Sequence, residues 1–301
     1  MTKIIQASNK LFDETFLRKL ERLTILSRRA MSGSQQGERR STKRGQSVEF
    51  ADFRPYTPGD DLRRIDWNAY ARMDRFFIKL FVEEEDLTIH ILIDSSESMA
   101  WGEPAKLSYA VQVAGALAYI GLTGLDRVTV TALGAASRSD GGIFTPSRGR
   151  QQAPKLFAFL QTLIGTGQVD LASGLRTYAA STRRTGPLLL ISDLMDESWQ
   201  AGLSALAARG FEITLLHTLA PQEVDPDVQG DLKLLDIESG AAIEITADYD
   251  LLQRYRDSLR TWQSEIASFC SARGIYYIPV NTGTPFEELI FAVLRQRRVV
   301  L

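Results

Sequence analysis

The chain has 301 residues, of which 44% are hydrophobic and 24% are charged, and its formal net charge is -2 at pH 7. This composition excludes a disordered or fibrous protein, and it argues against a chain that is basic throughout, as general nucleic-acid binders tend to be. The one cysteine, Cys270, excludes an internal disulfide and a CxxC metal knuckle. The sequence also lacks an apolar run of about 18 residues and the order of a signal peptide, so we expect a cytoplasmic protein.

The N-terminal part of the chain predicts a small unit ahead of a larger domain. Apolar residues at helical spacing from Asn9 to about Met31 predict an amphipathic helix that docks on the main domain by its leucine face. The basic, Ser-rich and Gly-rich stretch Ser32–Gln46 predicts a surface loop. Phe76–Val82 predicts a strand of a short sheet. We therefore group residues 1–86 as an N-terminal helix, a basic loop and a β subdomain, followed by a domain over residues 87–301.

Strand and helix patterns alternate from Leu87 to the C-terminus. The predicted strands are Leu87–Ile93, Val128–Leu133, Pro187–Ile191, Phe211–Leu219 and Ile275–Val280, with a hairpin between Leu232 and Ile245. The predicted helices are Ala105–Leu122, Pro154–Ile164, Leu171–Thr182, Ser198–Ala208, Tyr249–Ala272 and Pro285–Arg297. This alternation indicates an α/β fold, a doubly wound and mostly parallel sheet with helices on both faces. Strands without polar alternation, such as Leu188–Ile191, are typical of the buried centre of such a sheet.

A polar segment, Asp94-Ser95-Ser96-Glu97-Ser98, follows the first strand of the predicted sheet. Its carboxylate and hydroxyl oxygens suit a hard cation such as Mg²⁺, but the same residue types also cap helices, so this segment alone leaves both interpretations open. Asp193 follows a second buried strand, and Gly165–Asp170 precedes a helix. Ligands of open α/β sheets collect at the carboxyl ends of the strands. The convergence of these segments therefore favours a cation site.

Two stretches resemble known families. Asp94, Ser96 and Ser98, with the later Asp193, resemble the metal-ion-dependent adhesion site of the von Willebrand factor A-like domain, a doubly wound sheet that binds proteins rather than transforming substrates. The stretch Phe50–Trp67 resembles the bacterial family called domain of unknown function 58, which carries this signature just ahead of its A-like domain. Its most specific parts are Pro55-Tyr56, Pro58-Gly59-Asp60-Asp61 and Arg63-Arg64-Ile65-Asp66-Trp67.

The resemblance implies a magnesium site with an open position for a carboxylate of a partner protein, and Mn²⁺ or Ca²⁺ are alternative ions. The two serine hydroxyls would bind the ion directly, and the two aspartates would act through bound waters. Val169 stands where the family pattern has threonine, so a neighbouring oxygen would have to substitute. The expected metal-site residues are Asp94, Ser96, Ser98, Asp193, Asp170 and Thr166.

The resemblance further implies a non-enzymatic protein–protein interaction module. It would be an adaptor or co-chaperone that acts with a MoxR-type AAA+ ATPase and a client protein. The chain has no GxxxxGK[ST] phosphate loop, so ATP hydrolysis would belong to the partner. Arg54, Arg63, Arg64 and Glu97 are the candidate partner-binding residues, although the favoured interpretation of the three arginines is that they pin the β subdomain to the sheet.

Two other functions remain as alternatives. A metal-dependent hydrolase, either a phosphoesterase or a nuclease, would need a base, but His90 and His217 both lie in apolar strand runs and are predicted to be core residues. The chain lacks a GxSxG elbow, and a single cation held mainly by hydroxyls is poorly suited to activating water. Nucleic-acid binding would rely on the basic residues 39–44. We therefore expect no enzymatic activity.

Overall fold

The computed structural model describes residues 11–26, 48–58, 60, 62, 65–83, 87–134, 142–167, 169–235, 241–297 and 299–301. They fall into two compact units, one within Ser32–Asp86 and the other made of the N-terminal residues to Met31 with Leu87–Leu301. The N-terminal helix thus belongs to the larger unit, whereas the sequence grouped it with the smaller one. The predicted basic loop Ser32–Gln46 lies outside the described residues.

The elements are labelled in chain order. The strands are β1 (Val48–Pro55), β2 (Phe77–Glu83), β3 (Thr88–Asp94), β4 (Arg127–Leu133), β5 (Ile143–Arg148), β6 (Pro187–Ser192), β7 (Glu212–Leu219), β8 (Gly230–Leu235), β9 (Ala242–Ala247) and β10 (Tyr276–Asn281). The helices are α1 (Glu14–Leu20), α2 (Trp67–Met73), α3 (Lys106–Thr123), α4 (Ala153–Gln161), α5 (Leu171–Ser181), α6 (Trp199–Arg209), α7 (Pro221–Val224), α8 (Tyr249–Ala272) and α9 (Phe286–Glu288). A π-helical turn over Leu289–Leu294 continues α9.

The larger unit is built on a six-stranded sheet with the order β10-β7-β6-β3-β4-β5. Its neighbouring strands run parallel, except that β5 is antiparallel to β4. The prediction of a mixed α/β fold with a mostly parallel sheet is confirmed. Ile93 on β3 pairs with Ile191 on β6, so these two strands are neighbours and end at the same edge. Asp94 and Asp193 therefore leave the sheet side by side.

Both faces of the sheet are covered by apolar side chains. Ile89, Ile91 and Ile93 of β3 belong to one buried cluster together with residues of α3. Leu92 belongs to a second buried cluster with residues of α5 and α6. Because successive side chains of a strand point to opposite faces, the two clusters lie on opposite sides of the sheet. This explains why the β3 sequence has no polar alternation.

The N-terminal helix docks by its apolar face, as predicted. Phe16 of α1 lies edge-on to Phe286 with ring centroids 5.2 Å apart, and Phe12, just before the helix, lies edge-on to Phe157 at 5.4 Å. Both phenylalanines are buried in the same cluster as α3. These contacts attach α1 to the larger unit.

This helix is shorter than predicted, because it runs only from Glu14 to Leu20. Beyond it, Ile25 forms a β-bridge with Val300. The Thr24 N–H donates to the Leu301 carbonyl at 3.1 Å, and the Leu26 N–H donates to the Val299 carbonyl at 3.0 Å. Pairing with the C-terminal residues therefore replaces the helical hydrogen bonds that the apolar spacing predicted.

Each predicted strand of the large sheet is found within a residue of its predicted bounds, but β5 was not predicted. The sequence of β5 contains Pro146, which reads as a loop residue. An edge strand tolerates proline, because one side of the strand needs no ladder hydrogen bonds. Of the helices in the described ranges, none is both long and apolar enough to cross a membrane.

The smaller unit contains the predicted short sheet, an antiparallel pair of β1 and β2. Asp66 caps α2, because its carboxylate accepts hydrogen bonds from the N–H groups of Asn68 and Ala69 at 2.8 and 3.1 Å. The rings of Tyr70 and Phe76 are stacked with centroids 4.5 Å apart. Aromatic packing and a helix cap therefore hold this unit together locally.

Candidate functional site at the carboxyl edge of the sheet

Asp94 is the buried carboxylate at the end of β3, and both of its oxygens accept hydrogen bonds. Oδ1 accepts from the Ser96 N–H at 3.0 Å, and Oδ2 accepts from the Ser192 hydroxyl at 2.6 Å. The Ser192 hydroxyl oxygen in turn accepts from the Leu194 N–H at 3.0 Å. Asp94 thus joins the loop after β3 to the loop after β6. The two segments converge as the sequence predicted.

The hydroxyls of Ser96 and Ser98 form a close pair. Their oxygens lie 2.9 Å apart and share a hydrogen bond, and both side chains are buried. Adjacent ligands of an octahedral Mg²⁺ ion are also about 2.9 Å apart, since each Mg–O bond is about 2.0–2.1 Å long. The spacing of this pair therefore matches two neighbouring metal ligands.

Asp193, the second predicted aspartate, forms a salt bridge with a lysine that was not predicted as a site residue. The Nζ atom of Lys106, the first residue of α3, donates to Asp193 Oδ2 at 2.8 Å and also to Glu223 on α7. The Lys106 side chain is only 1% exposed. Glu223 is fixed in turn by a hydrogen bond of 2.7 Å from the Ala220 N–H. A buried ammonium group thus lies between two carboxylates at the site.

One signal in the sequence points to this lysine. Lys106 stands at the first position of a helix that is otherwise mostly apolar over its first turns. A positive charge at a helix N-terminus is unfavourable with respect to the helix dipole. A lysine at that position therefore indicates a negatively charged partner from elsewhere in the fold.

The turn after Asp193 adopts a strained backbone. Leu194 is buried and has φ 55°, a left-handed conformation that costs roughly 1 kcal/mol or more for a residue with a branched side chain. Asp193 Oδ1 accepts from the Met195 N–H at 3.3 Å, and the Asp193 carbonyl accepts from His217 Nε2 at 3.1 Å. These bonds on both sides of Leu194 hold the turn in place.

Burial sets the protonation of the groups around this turn. Burial, and secondarily the charge of Asp193, raises the pKa of Asp94 to about 6, although the hydrogen bonds from Ser192 and Ser96 act in the opposite direction. Burial lowers the pKa of His217 to about 4, so this imidazole is neutral at pH 7. Burial therefore makes the charged form unfavourable for both Asp94 and His217.

The loop before α5 lies against the Asp94–Ser98 segment. The Thr166 N–H donates to the Ser95 carbonyl at 3.1 Å, and the Glu97 N–H donates to the Gly167 carbonyl at 3.0 Å. The contacts are made by the backbone, so they place Thr166 beside the site without showing a role for its hydroxyl. Val169 packs against the apolar cluster under this loop.

Asp170 has a structural role in the same loop. Its side chain is exposed and caps α5, because Oδ1 accepts from the Ser173 N–H at 2.8 Å. The predicted ligand thus already serves as a helix N-cap.

The Asp170→Ala variant is expected to lose about 1 kcal/mol of unfolding free energy, the typical effect of removing an N-cap. The loss should be equal in Mg²⁺ and in chelator, as measured by urea denaturation. Asp227→Ala, which removes an exposed aspartate, is the charge-matched control. A loss seen only in Mg²⁺ would instead make Asp170 a metal ligand.

The side chains as arranged do not fit a resident Mg²⁺ ion. Asp193 has one oxygen on the Lys106 ammonium group, Val169 has no ligating atom, and both oxygens of Asp94 already accept hydrogen bonds. What remains is a pair of neutral hydroxyls, whereas a hard dication favours anionic oxygen. Across the described ranges, no three His, Cys, Asp or Glu side chains are grouped as metal ligands would be. Metal binding at this edge stays a prediction.

The two histidines lie in the core, as predicted. His90 Nδ1 is hydrogen-bonded to the Tyr178 hydroxyl at 2.6 Å, and His217 Nδ1 is hydrogen-bonded to the Tyr277 hydroxyl at 2.9 Å. Burial lowers the pKa of His90 to about 4, as it does for His217. Neither imidazole faces solvent as a base would.

Arg54, a candidate partner-binding residue, is bound within its own unit. Its guanidinium donates to both oxygens of Asp60, at 2.6 and 2.8 Å, and this bond holds the pKa of Asp60 well below its usual range. Arg54 thus fixes the turn after β1, and its contact with a partner stays a prediction. The other two arginine candidates, Arg63 and Arg64, lie outside the described residues.

Comparison with known proteins places this chain among uncharacterised relatives. Residues 52–265 match the family described as "Protein of unknown function DUF58". "Uncharacterized protein Rv1480" of Mycobacterium tuberculosis is 27% identical over 288 residues, which cover 93% of this chain and 89% of the relative. "Uncharacterized protein Mb1516" of Mycobacterium bovis gives the same values. "Uncharacterized protein MAV169" of Mycobacterium avium is 29% identical over 131 residues, or 43% of this chain and 76% of the relative.

Proposed function

Because the chain belongs to the DUF58 family, we propose that it is a non-catalytic protein-interaction module whose larger unit docks a partner at the carboxyl edge of its sheet. The proposed fold of this unit is the doubly wound, von Willebrand factor A-like arrangement. A mostly parallel sheet covered on both faces supports it, with the Asp94–Ser98 segment after a central strand.

The observation that carries the docking proposal is a pair of large exposed side chains beside the buried charges. Trp101 is 43% exposed, and its ring centroid lies 6.0 Å from Lys106 Nζ. Met195 is 47% exposed and directly follows the turn held by Asp193. Tryptophan and methionine are enriched at binding surfaces, where an aromatic anchor often dominates the affinity. We call Trp101 and Met195 the rim pair.

A cleft next to Met195 offers room for a side chain of the partner. Its volume is about 440 Å³, and it is lined by Leu194, Met195, Glu197, Trp199 and Trp262. The walls are mainly apolar, with one carboxylate among them. A cleft of this composition favours an apolar or amphipathic anchor from a protein.

The partner class to test first is a MoxR-type AAA+ ATPase, with the chain acting as an adaptor or co-chaperone that presents a client. This choice rests on the family resemblance of the signature and of the Asp94–Ser98 segment. Glu97, whose side chain is partly exposed on that segment, is the charged candidate that lies on the larger unit at this edge.

The test is the affinity of the full chain for a cognate MoxR-type ATPase. Trp101→Ala and Met195→Glu are expected to weaken binding about tenfold or more, since truncating an interface anchor commonly costs about 2 kcal/mol. Leu235→Ala, at an exposed leucine on β8, is the matched control and should bind as the wild type does.

Two outcomes would contradict the proposal in different ways. Full binding by both rim variants would move the docking surface away from this edge. Failure of the wild-type chain to bind any MoxR-type ATPase would reject this partner class. Parallel measurements in Mg²⁺ and in chelator separate docking that is bridged by a cation from direct docking.

A further inference from the structure

We propose that the ammonium group of Lys106 is the resident cation of this edge, because it supplies Asp193 and Glu223 with the positive charge that a metal ion would otherwise bring. Loss of this group would then open the site to a divalent cation. The proposal concerns the site itself and does not depend on the docking function.

The first support is the position of the charge. Lys106 Nζ lies 2.8 Å from Asp193 Oδ2 and also contacts Glu223, and the lysine side chain is 1% exposed. The lysine ammonium is a compact point charge with three donors. It therefore gives Asp193 the counter-charge that a bound metal ion would otherwise supply.

The second support is the charge that would remain without the lysine. Asp94, Asp193 and Glu223 bring three carboxyl groups to one side of the sheet, and all of them are buried or nearly so. Buried charges without partners are strongly unfavourable. Among the described side chains, Lys106 supplies the ion pairs of both Asp193 and Glu223.

The third support comes from the elements that hold the lysine. Lys106 begins α3, where the helix dipole disfavours a cation, so its burial there depends on the two carboxylates. Glu223 Oε2 accepts from the Ala220 N–H at 2.7 Å, and the Glu223 carbonyl accepts from the Tyr255 hydroxyl at 2.6 Å. These contacts position the Glu223 carboxylate of α7 opposite the Asp193 carboxylate, which follows β6.

The fourth support is the residue at the family's threonine position. Val169 has no oxygen and packs into the apolar cluster. Its Cγ2 would lie 3.0 Å from a Cβ placed on Gly134, so the loop is closely packed at this point. A site with a built-in ammonium group does not need the ligand that threonine would provide.

The experiment is a titration of the full chain with Mn²⁺, in which electron paramagnetic resonance detects the bound ion and Mg²⁺ serves as competitor. Thermal unfolding is the second measurement. The wild type is expected to show no stoichiometric binding and no rise of its Tm in Mg²⁺. Lys106→Met is expected to lower the Tm by about 10 °C, because it leaves buried carboxylates without their partner. The variant should also bind one Mn²⁺ per chain, and Mg²⁺ should restore part of its Tm.

Matched variants keep the proposal testable. Lys155→Met removes an exposed lysine on α4 and should behave as the wild type does. If Lys106→Met does not fold, the triple variant Lys106→Met/Asp193→Asn/Glu223→Gln should fold, because it removes the lysine charge together with both carboxylate charges that it balances. Failure of the triple variant to fold would count against the charge-balancing role.

Two further results would overturn the proposal. The first is one Mn²⁺ bound per wild-type chain and lost in Ser96→Ala, which would show that metal and lysine occupy the site together. The second is a folded Lys106→Met variant that binds no cation. Neither result would bear on docking by the rim pair, which is measured with the ATPase.

Discussion

The Asp94→Asn variant is expected to be more stable than the wild type above about pH 7, by about 2 kcal/mol. Burial and the neighbouring Asp193 raise the pKa of Asp94 from 3.8 to about 6, so the charged form is unfavourable in the folded protein. A shift of this size corresponds to about 3 kcal/mol. Asparagine removes this penalty, but its NH2 group cannot accept one of the hydrogen bonds that the carboxylate oxygens accept from Ser192 and Ser96, which offsets about 1 kcal/mol.

The stability advantage of Asp94→Asn should depend on pH in a definite direction. A carboxyl group with a raised pKa stabilises the fold fully below its unfolded pKa, and this contribution is lost as the pH rises through its folded pKa. For Asp94 the window runs from 3.8 to about 6. The advantage of Asp94→Asn should therefore shrink as the pH falls through this window.

Urea denaturation between about pH 8 and pH 4 would measure both effects. Asp227→Asn, at an exposed aspartate, controls for the change of net charge. An Asp94→Asn variant that is less stable than the wild type at pH 8 would show that the hydrogen bonds of the carboxylate outweigh its burial.

A destabilising carboxylate at the end of a central strand is typical of a site kept for binding rather than for folding. Leu194, two positions from Ser192, adds a left-handed backbone conformation at the same place. Local strain and unfavourable charge concentrate at functional sites, where the rest of the fold compensates for them. The two observations therefore point to the same edge as the rim pair does.

The sheet and its polar edge could be predicted from local patterns. Leu188–Ile191 has no polar alternation. An aspartate follows each of the two central strands within two residues, Asp94 after Ile93 and Asp193 after Ile191. In a parallel sheet all strands end at the same edge, so neighbouring strands bring such residues together. These inferences need only periodicity and chain direction.

What could not be predicted depends on pairings between distant segments. Lys106 and Asp193 are far apart in sequence, and only the fold brings them to 2.8 Å. Ile25 bridges to Val300 at the other end of the chain, which is why α1 ends earlier than its apolar spacing indicates. In both cases tertiary partners decide between local alternatives, so the sequence could indicate an unusual lysine but not its partner.

A second large effect on stability is expected from the protonation of His217 at acidic pH. Burial lowers its pKa from 6.5 to about 4, so the folded protein holds the neutral imidazole. A histidine with a lowered pKa stabilises the fold fully above its unfolded pKa, and this contribution is lost as the pH falls toward the folded pKa. The wild type should therefore lose up to about 3 kcal/mol through this residue between about pH 6.5 and pH 4.

The variant that isolates this effect is His217→Leu. At pH 7 it should be less stable than the wild type by about 2 kcal/mol, because the Asp193 carbonyl and the Tyr277 hydroxyl lose their partner. Leucine does not titrate, so the variant should lose less stability in acid. The unfolding free energies of the two proteins should converge near about pH 5 and cross below it.

His90→Leu is the matched control, since His90 is also buried with its pKa lowered to about 4 but bonds to Tyr178 instead of the turn after β6. Both variants should lose less unfolding free energy than the wild type does as the pH falls. Only His217→Leu removes the bond to the Asp193 carbonyl, so only this variant should also weaken docking by the rim pair. Equal docking by the two variants would show that His217 supports the core alone, whereas a loss of stability in acid that is unchanged in His217→Leu would contradict the lowered pKa of His217.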